Sequence, residues 1–429
     1  MIPIIEYDSK EGRAAVEKLI SRRNRDFSEA QKIVEKIIAD VKLNGDRAVF
    51  EYTKKLDGAE INAGNLIVDA SEFEEAYENT DERLIMVFKK SIERITDYHL
   101  RQKTSGWMDT FENGEMMGQL VRPLHRVGIY TPGGAAPLAS SLLMCAVPAK
   151  VAGVKEIIVA TPPDKNGKIH PALLVAAAEA GVTEIYKAGG AQAIAMMAFG
   201  TESVSKVDKI AGPGSIYTAL AKRCVYGHVG VDSIAGPSEI LIIADESAKP
   251  QFIAADLLAQ AEHGEPAPAI LVTTDDKLAV KVIKELESQI KDSPRKDIIK
   301  KSLKECGIIF LADNLKKAVK ISNFFSPEHL EICVKDPLGI LGGVTNAGAV
   351  FLGNYTPEAL GDYIAGPSHV LPTGGTARFF SPLSVDDFVK KSSVLSFNKK
   401  SFKKLGGDVC AFAEAEGLYA HAESIRVRM

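Results

Sequence analysis

The sequence predicts an α/β fold with two α/β units built on parallel sheets, plus small segments at either end of the chain. Three observations carry this. Strands and helices alternate from about residue 126 to 211, the spacing of βαβ units. A second alternating set begins after Gly236. Several strand candidates, such as Ile157-Ile-Val-Ala160 and Ile240-Leu-Ile-Ile243, are apolar at every position, as strands covered on both faces are.

In chain order, residues 1–25 read as a short arm ending in the charged run Ser21-Arg-Arg-Asn-Arg25. A helix is expected at 28–43, with Ser28 as N-cap and a stop near Asn44-Gly45. Another covers 81–103, where Leu84, Val87, Phe88, Ile92 and Ile95 mark one apolar face. This first stretch is charge-rich, offers few catalytic groups and reads as scaffold. Residues 120–123 and 126–130 read as extended, and Thr131-Pro-Gly-Gly134 turns the chain. Then come a helix at 138–152, a strand at 156–160, a helix at 171–180, a strand at 183–187, a helix at 191–199 and a strand at 207–210. The second set has a strand at 239–243, a helix ending near Gly264 before Pro266 and Pro268, and a strand at 269–273. Amphipathic stretches at 276–291 and 294–305 follow, with strands at 307–311, 331–334 and 348–352. From Pro382 onward the tail reads as a separate, mainly helical domain.

At 429 residues the chain is long enough for two to four domains. A net charge of −4 gives no electrostatic support for a nucleic-acid partner. Five scattered cysteines without a Cys-x-x-Cys suit a reducing compartment, most simply the cytoplasm. The most apolar longer stretch, 135–153, is broken by Pro137, Pro148 and Lys150 and will not span a membrane.

The helix ending at Gly264 carries Asp256, Gln260 and His263 within an arc of about 60°. That is either half of a metal site or a wet helix face. Glu328-His329 is a carboxylate beside an imidazole, suited to acid/base work if a turn aims both inward, and otherwise a solvated pair. Asp362 is a possible hard-oxygen ligand or a turn aspartate. Glu416 and His421, five apart, do not stack on one helix face. Together Gln260, His263, Asp362 and a further imidazole would form an N/O donor set compatible with zinc, with room for substrate. No Gly-x-Gly-x-x-Gly or Walker loop is present, although Gly-rich turns at 133–134, 189–190 and 212–214 would let a backbone approach a pyrophosphate. Ala211-Gly-Pro213, Ala235-Gly-Pro237 and Ala365-Gly-Pro367 echo one another, each read as a strand tip and turn. They are either punctuation or three loops at the carboxyl edge of a sheet, where ligands bind in open α/β folds.

Six runs occur in order: Arg126-Val-Gly-Ile-Tyr-Thr-Pro-Gly-Gly134, Gly189-Gly-Ala-Gln-Ala193, Ala235-Gly-Pro-Ser-Glu239, Gln260-Ala-Glu-His-Gly264, Pro327-Glu-His-Leu330 and His369-Val-Leu-Pro-Thr373. On these, the chain resembles the histidinol dehydrogenase family from about residue 25 to its end. The resemblance implies two incomplete Rossmann-like domains in an intertwined homodimer. It implies a zinc- and NAD-dependent oxidation of L-histidinol through L-histidinal to L-histidine. By position, Gln260, His263, Asp362 and His421 match the zinc ligands, with His421 supplied by the partner subunit. Glu328 and His329 match the acid/base pair. Ser238, Gln260, His263, His329, Asp362, Glu416 and His421 match substrate contacts, with His369 near the same site. Tyr130, Gln192 and Ser215 match NAD contacts. Zinc would anchor the substrate's imidazole and amine. The division expected is an arm (1–25), an α/β domain with the metal site (26–128 and 239–381), an NAD-binding α/β domain (129–238) and a small C-terminal domain (382–429) that completes the partner's site. Ser215 and Ser368 stand where the family usually has asparagine, which bears on NAD affinity. The competing reading is a zinc hydrolase using the same donors, with Glu328 activating a metal-bound water.

Overall fold

The structure, a computed structural model, describes residues 2–23, 27–133, 137–234, 236–264 and 267–429. Arg25, Gly134, Ala235 and Pro266, which figure in the expectations above, lie outside the described residues.

The chain opens on strand β1 (Ile4–Glu6) and the helix Lys10–Arg23. The first segment is thus more than an arm, because β1 joins a sheet as its outermost strand. The next helix, Ser28–Leu56, has Phe27 rather than Ser28 at its cap position. Gly45 does not end it: at φ 52°, ψ −132° it kinks the helix, which resumes with Asp46 N–H bonded to Glu202 Oε2 at 2.7 Å. Ala70–Glu78 is a further helix, closed by a capping box between Asp69 and Glu72. Glu82–Leu100 follows, capped by Asp81, and its last turn holds His99 buried.

Strands β2 (Trp107–Thr110) and β3 (Met116–Pro123) form a hairpin. Five parallel strands come next: β4 (Arg126–Tyr130), β5 (Glu156–Thr161), β6 (Glu184–Lys187), β7 (Lys209–Ala211) and β8 (Gly230–Val231). Their spatial order is β6-β5-β4-β7-β8, with helices at 139–152, 171–180, 190–199 and 216–225 between them. The second sheet takes β9 (Ile240–Ala244), β10 (Ala269–Thr273), β11 (Gly307–Leu311), β12 (His329–Cys333) and β13 (Ala349–Leu352). Its order, β1-β11-β10-β9-β12-β13, repeats that of the first sheet with β1 added at one edge. Both are parallel and doubly wound, and in each the winding reverses beside the first strand of the set, β4 or β9. Strand β9 is buried along its whole length, which explains its uninterrupted apolar run.

The helices from 28 to 100 share their apolar cores with the first sheet. Val34, Ile37, Val41 and Val49 pack with Tyr130, Ile194 and Leu220, and Ala76, Phe88 and Ile95 pack with Leu142, Leu173 and Leu174. The tail is not purely helical. It begins with β14 (Val389–Ser396), antiparallel to β3 over all eight residues, before the helices Lys399–Ala415 and Tyr419–Arg426. Among the described residues no helix is long and apolar enough to cross a membrane.

The three Gly-Pro loops differ in placement. Gly212 follows β7 at the carboxyl edge of the first sheet. Gly236-Pro237 lies between the carboxyl end of β8 and the amino end of β9, so it runs from one sheet's carboxyl edge to the other's amino edge. Gly366 follows no strand; it ends a single π-helical turn, Gly361–Ala365. The shared need is local, since Gly212 and Gly366 both take positive φ (112° and 118°).

Candidate functional site

The site forms where the amino edge of the second sheet meets the carboxyl edge of the first. The helix Leu315–Phe325 ends at Ser326, held in the left-handed region at φ 51°. Pro327 then prevents the helix from continuing, and the chain enters β12 with Glu328 just outside it and His329 as its first residue. This is the turn that lets neighbouring side chains converge. Glu328 Oε2 lies 3.6 Å from His329 Nδ1, and both residues are buried.

Glu328 Oε2 accepts from Ser238 Oγ at 2.5 Å and from the Glu239 N–H at 2.9 Å. His329 Nδ1 lies 3.2 Å from the Glu239 carbonyl and 3.4 Å from Glu358 Oε1. With Nδ1–H turned to that carbonyl, the lone pair sits on Nε2, which is buried and has no protein partner. Burial lowers His329 to about 4, so its imidazole is neutral at physiological pH. Burial raises Glu328 well above the ordinary carboxyl range, opposed by its bonds from Ser238 and Glu239. Burial thus works against charge on both members of the pair.

Asp362 stands in the π turn, the wider helical form that recurs at functional sites. The helix Glu82–Leu100 holds this turn: Ser91 Oγ donates to the Tyr363 carbonyl at 2.7 Å and Arg94 Nε to that of Ile364 at 2.6 Å. One donor atom each from His329, Glu358 and Asp362 lie within 4.8 Å of one another, a grouping that could hold a cation. Gln260, in the last turn of the helix Pro250–Ala261, is fully buried, yet neither atom of its amide has a partner. A buried amide without partners is costly unless something outside the chain bonds to it. His263 is exposed just beyond that helix, and its charge bears on both His329 and His369. Burial raises Glu358, and the charges of Asp362, Glu328, Glu331 and Asp256 raise it further. These residues fit a divalent ion.

His369 is engaged at both nitrogens, Nδ1 with the Asp362 carbonyl at 2.9 Å and Nε2 with Ser141 Oγ at 3.0 Å. It ties the helix after β4 to the turn bearing Asp362. Ser368 does related work, its hydroxyl donating to the Met144 carbonyl at 3.2 Å. Glu416 and His421 are not brought to this cluster within the chain; both are exposed on the C-terminal helices.

Tyr130, Gln192 and Ser215 surround the reversal of the first sheet. Tyr130 ends β4, and its hydroxyl accepts the Gly190 N–H at 3.0 Å. Gln192 is fully buried with its Oε1 unpartnered, and its Nε2 reaches Asp57 Oδ2 at 3.4 Å. Ser215 occupies the N-cap of the helix Ile216–Val225 and is exposed. The loop between is braced from below by buried Lys222, which bonds the Gly212 carbonyl at 2.6 Å and Asp232 Oδ1 at 2.5 Å. Crevices at such reversals receive nucleotide ligands in open α/β sheets.

The family profile for histidinol dehydrogenase matches residues 20–429. The chain belongs to the histidinol dehydrogenase family. A histidinol dehydrogenase of Clostridium acetobutylicum is 51% identical over 428 residues, covering 100% of this chain and 99% of that protein. One from Bacillus subtilis is 50% identical, with 97% of each chain covered. The crystal structure of histidinol dehydrogenase from Elizabethkingia anophelis superposes with a TM-score of 0.90 at 40% identity, covering 94% of this chain and 93% of that one. Family membership places the chain among the oxidoreductases of histidine biosynthesis.

Sequence reasoning passed over Glu358, Glu239 and Glu331. The one available signal was the spacing of Glu358 and Asp362, four apart and so on one helical face. Asp256, grouped with Gln260 and His263 by helical phase, is instead paired with the Glu331 carboxyl.

Proposed function

We propose that this chain is an L-histidinol dehydrogenase of the cytoplasm, which oxidises L-histidinol through L-histidinal to L-histidine with two NAD⁺ in succession. The observation that carries the reading is the buried Glu328–His329 pair, with His329 Nε2 unpartnered and Asp362 within reach of its ring. In the first oxidation His329 Nε2 takes the hydroxyl proton of the alcohol. In the second, the Glu328 carboxylate takes a proton from the water as that water's oxygen adds to the aldehyde carbon. Before that transfer its two fixed donors, Ser238 Oγ–H and Glu239 N–H, hold the charged carboxylate. Ser238 stays near enough to contact substrate through the same hydroxyl.

Gln260, His263 and Asp362, with His421 from a second copy of the chain, would hold a zinc ion. Such an ion would anchor the substrate's imidazole and amine against the acid/base pair. Tyr130, Gln192 and Ser215 would hold NAD⁺, whose nicotinamide accepts the hydride at each step. Exposure of Glu416 and His421 in the single chain supports a homodimer in which each copy completes the other's site, Glu416 toward substrate and His421 toward the ion.

The test is stoichiometric. Purified protein given L-histidinol and NAD⁺ forms two NADH per histidine. One NADH with accumulating aldehyde removes the second oxidation from the reading, and none removes the dehydrogenase.

A further inference from the structure

We infer that the ion pair between Arg23 and Glu239 is a positioning device through which the N-terminal helix sets the geometry of Glu328 and His329. This rests on the reading of those two residues as the acid/base pair.

Glu239 serves both members of the pair through its backbone. Its N–H donates to Glu328 Oε2 at 2.9 Å, and its carbonyl accepts from the His329 N–H at 3.2 Å and faces His329 Nδ1 at 3.2 Å. One residue thus supplies a donor to the carboxyl and selects the tautomer of the imidazole. Any rotation of this residue moves both contacts together.

The Glu239 side chain is anchored separately. Its Oε2 accepts from Arg23 Nη2 at 2.9 Å and its Oε1 from the Gly375 N–H at 3.3 Å. The pair is enclosed, the side chains being 19% and 4% exposed. Burial raises the Glu239 carboxyl, and the Arg23 charge opposes that rise. The guanidinium also lies over the Phe325 ring, 6.0 Å from its centroid, and Phe325 is the last residue of the helix that delivers Glu328. At Gly375 a side chain would begin 2.5 Å from Arg23 Nη1, so glycine leaves the room this packing needs. Arg23 therefore touches three segments at once: the start of β9, the helix end before Glu328, and the turn at 373–375.

Net stability does not account for such a pair, because the cost of desolvating two charges offsets most of their attraction. Position does. Arg23 is the last residue of the helix Lys10–Arg23, and strand β1 just before that helix is hydrogen-bonded into the same sheet as β9 and β12. The N-terminal segment thus enters the sheet at its far edge and returns a charge to the amino ends of its central strands.

Steady-state kinetics of Arg23→Met, Arg23→Lys, Glu239→Gln and the double variant Arg23→Met/Glu239→Gln test this, with His329→Asn in parallel. Arg23→Met should lower kcat by about 10- to 100-fold with KM for L-histidinol within about 2-fold, the signature of misaligned acid/base groups with binding retained. Arg23→Lys keeps the charge and should recover most of the loss. The double variant should exceed Arg23→Met in kcat, since it no longer leaves a lone buried carboxylate. An Arg23→Met enzyme with parental kcat, or one that only unfolds at lower temperature, overturns the inference. Should that variant not fold, Glu239→Gln decides: reduced kcat at unchanged KM supports the lock, and parental kcat sinks it. If His329→Asn kept full turnover, the acid/base reading would fall and take this inference with it. An inactive His329→Asn beside a parental Arg23→Met overturns the positioning role alone.

Discussion

His329 presents two nitrogens with different duties, one committed to the Glu239 carbonyl and one bare. Replacing it by Asn keeps a side chain of similar polarity but no titratable base. His329→Asn should cut kcat by roughly 10²- to 10⁴-fold while bound zinc stays at the parental level, read by NADH formation and metal analysis. Undiminished turnover would remove the base. Asp256 allows a separate test. Burial raises it to about 6 from 3.8, beside Glu331, so the folded protein disfavours its charged form. The sign follows: the stability of this group is whole below pH 3.8 and is lost as pH rises through about 6. Asp256→Asn should therefore stabilise the fold by on the order of 2 kcal/mol at pH 8 and change little at pH 4, measured by urea unfolding. Equal effects at both pH values would contradict the shift. His329 runs the other way, since holding it neutral down to about 4 costs stability as pH falls from 6.5. Residue types at 260, 263, 328, 329 and 362 were readable because each is a plausible donor in a marked context. Glu358 and Glu239 were not, because an isolated glutamate gives no sign of whether it will be buried.

At the scale of elements, the turn Gly361–Ala365 depends on a helix whose bonding residues lie 270 and 272 positions earlier. Ser91 is buried and spends its hydroxyl on the Tyr363 carbonyl. Ser91→Ala should loosen the turn and weaken zinc binding by about 10-fold, read by chelator competition, with little effect on the fold. Parental affinity would show that Asp362 is placed by the turn alone. Gly45 is the other element whose conformation local rules misjudged. Asn44-Gly45 reads as a stop, yet Glu202 Oε2 accepts the Asp46 N–H and lets a second helical stretch begin at once. Gly45→Ala should cost about 1–3 kcal/mol, because φ 52° with ψ −132° is open to glycine alone. An unchanged urea midpoint would deny the kink its strain. Most helix and strand spans of the two parallel sheets were legible from apolar period and punctuation, but not β1, β8 or the helices Ile216–Val225 and Leu315–Phe325. Strands β2 and β14 were not, since their residues are largely exposed and carry no strong alternation, and only residues 120–123 of β3 read as extended.

At the scale of the whole molecule, the C-terminal helices 399–415 and 419–426 pack chiefly on each other and leave Phe412, Tyr419 and Val427 about 70% exposed. That much open apolar surface is suited to a second copy of the chain. Ending the chain at Lys399 should remove both dimer and zinc, measured by light scattering and metal analysis. Full metal content in a monomeric truncated protein would exclude His421 as a bridging donor. Sequence by itself determined the fold class, most of the elements of the two parallel sheets and the chemistry of the donors, because apolar periodicity and residue type act locally along the chain. Tertiary structure alone decided that the pair at 328 and 329 sits at the amino edge of its sheet. It alone gave Asp256 to Glu331 rather than to Gln260, and the charge of Arg23 to Glu239. Those outcomes turn on burial and on contacts between distant segments, where desolvation decides which charges survive and which must share a proton.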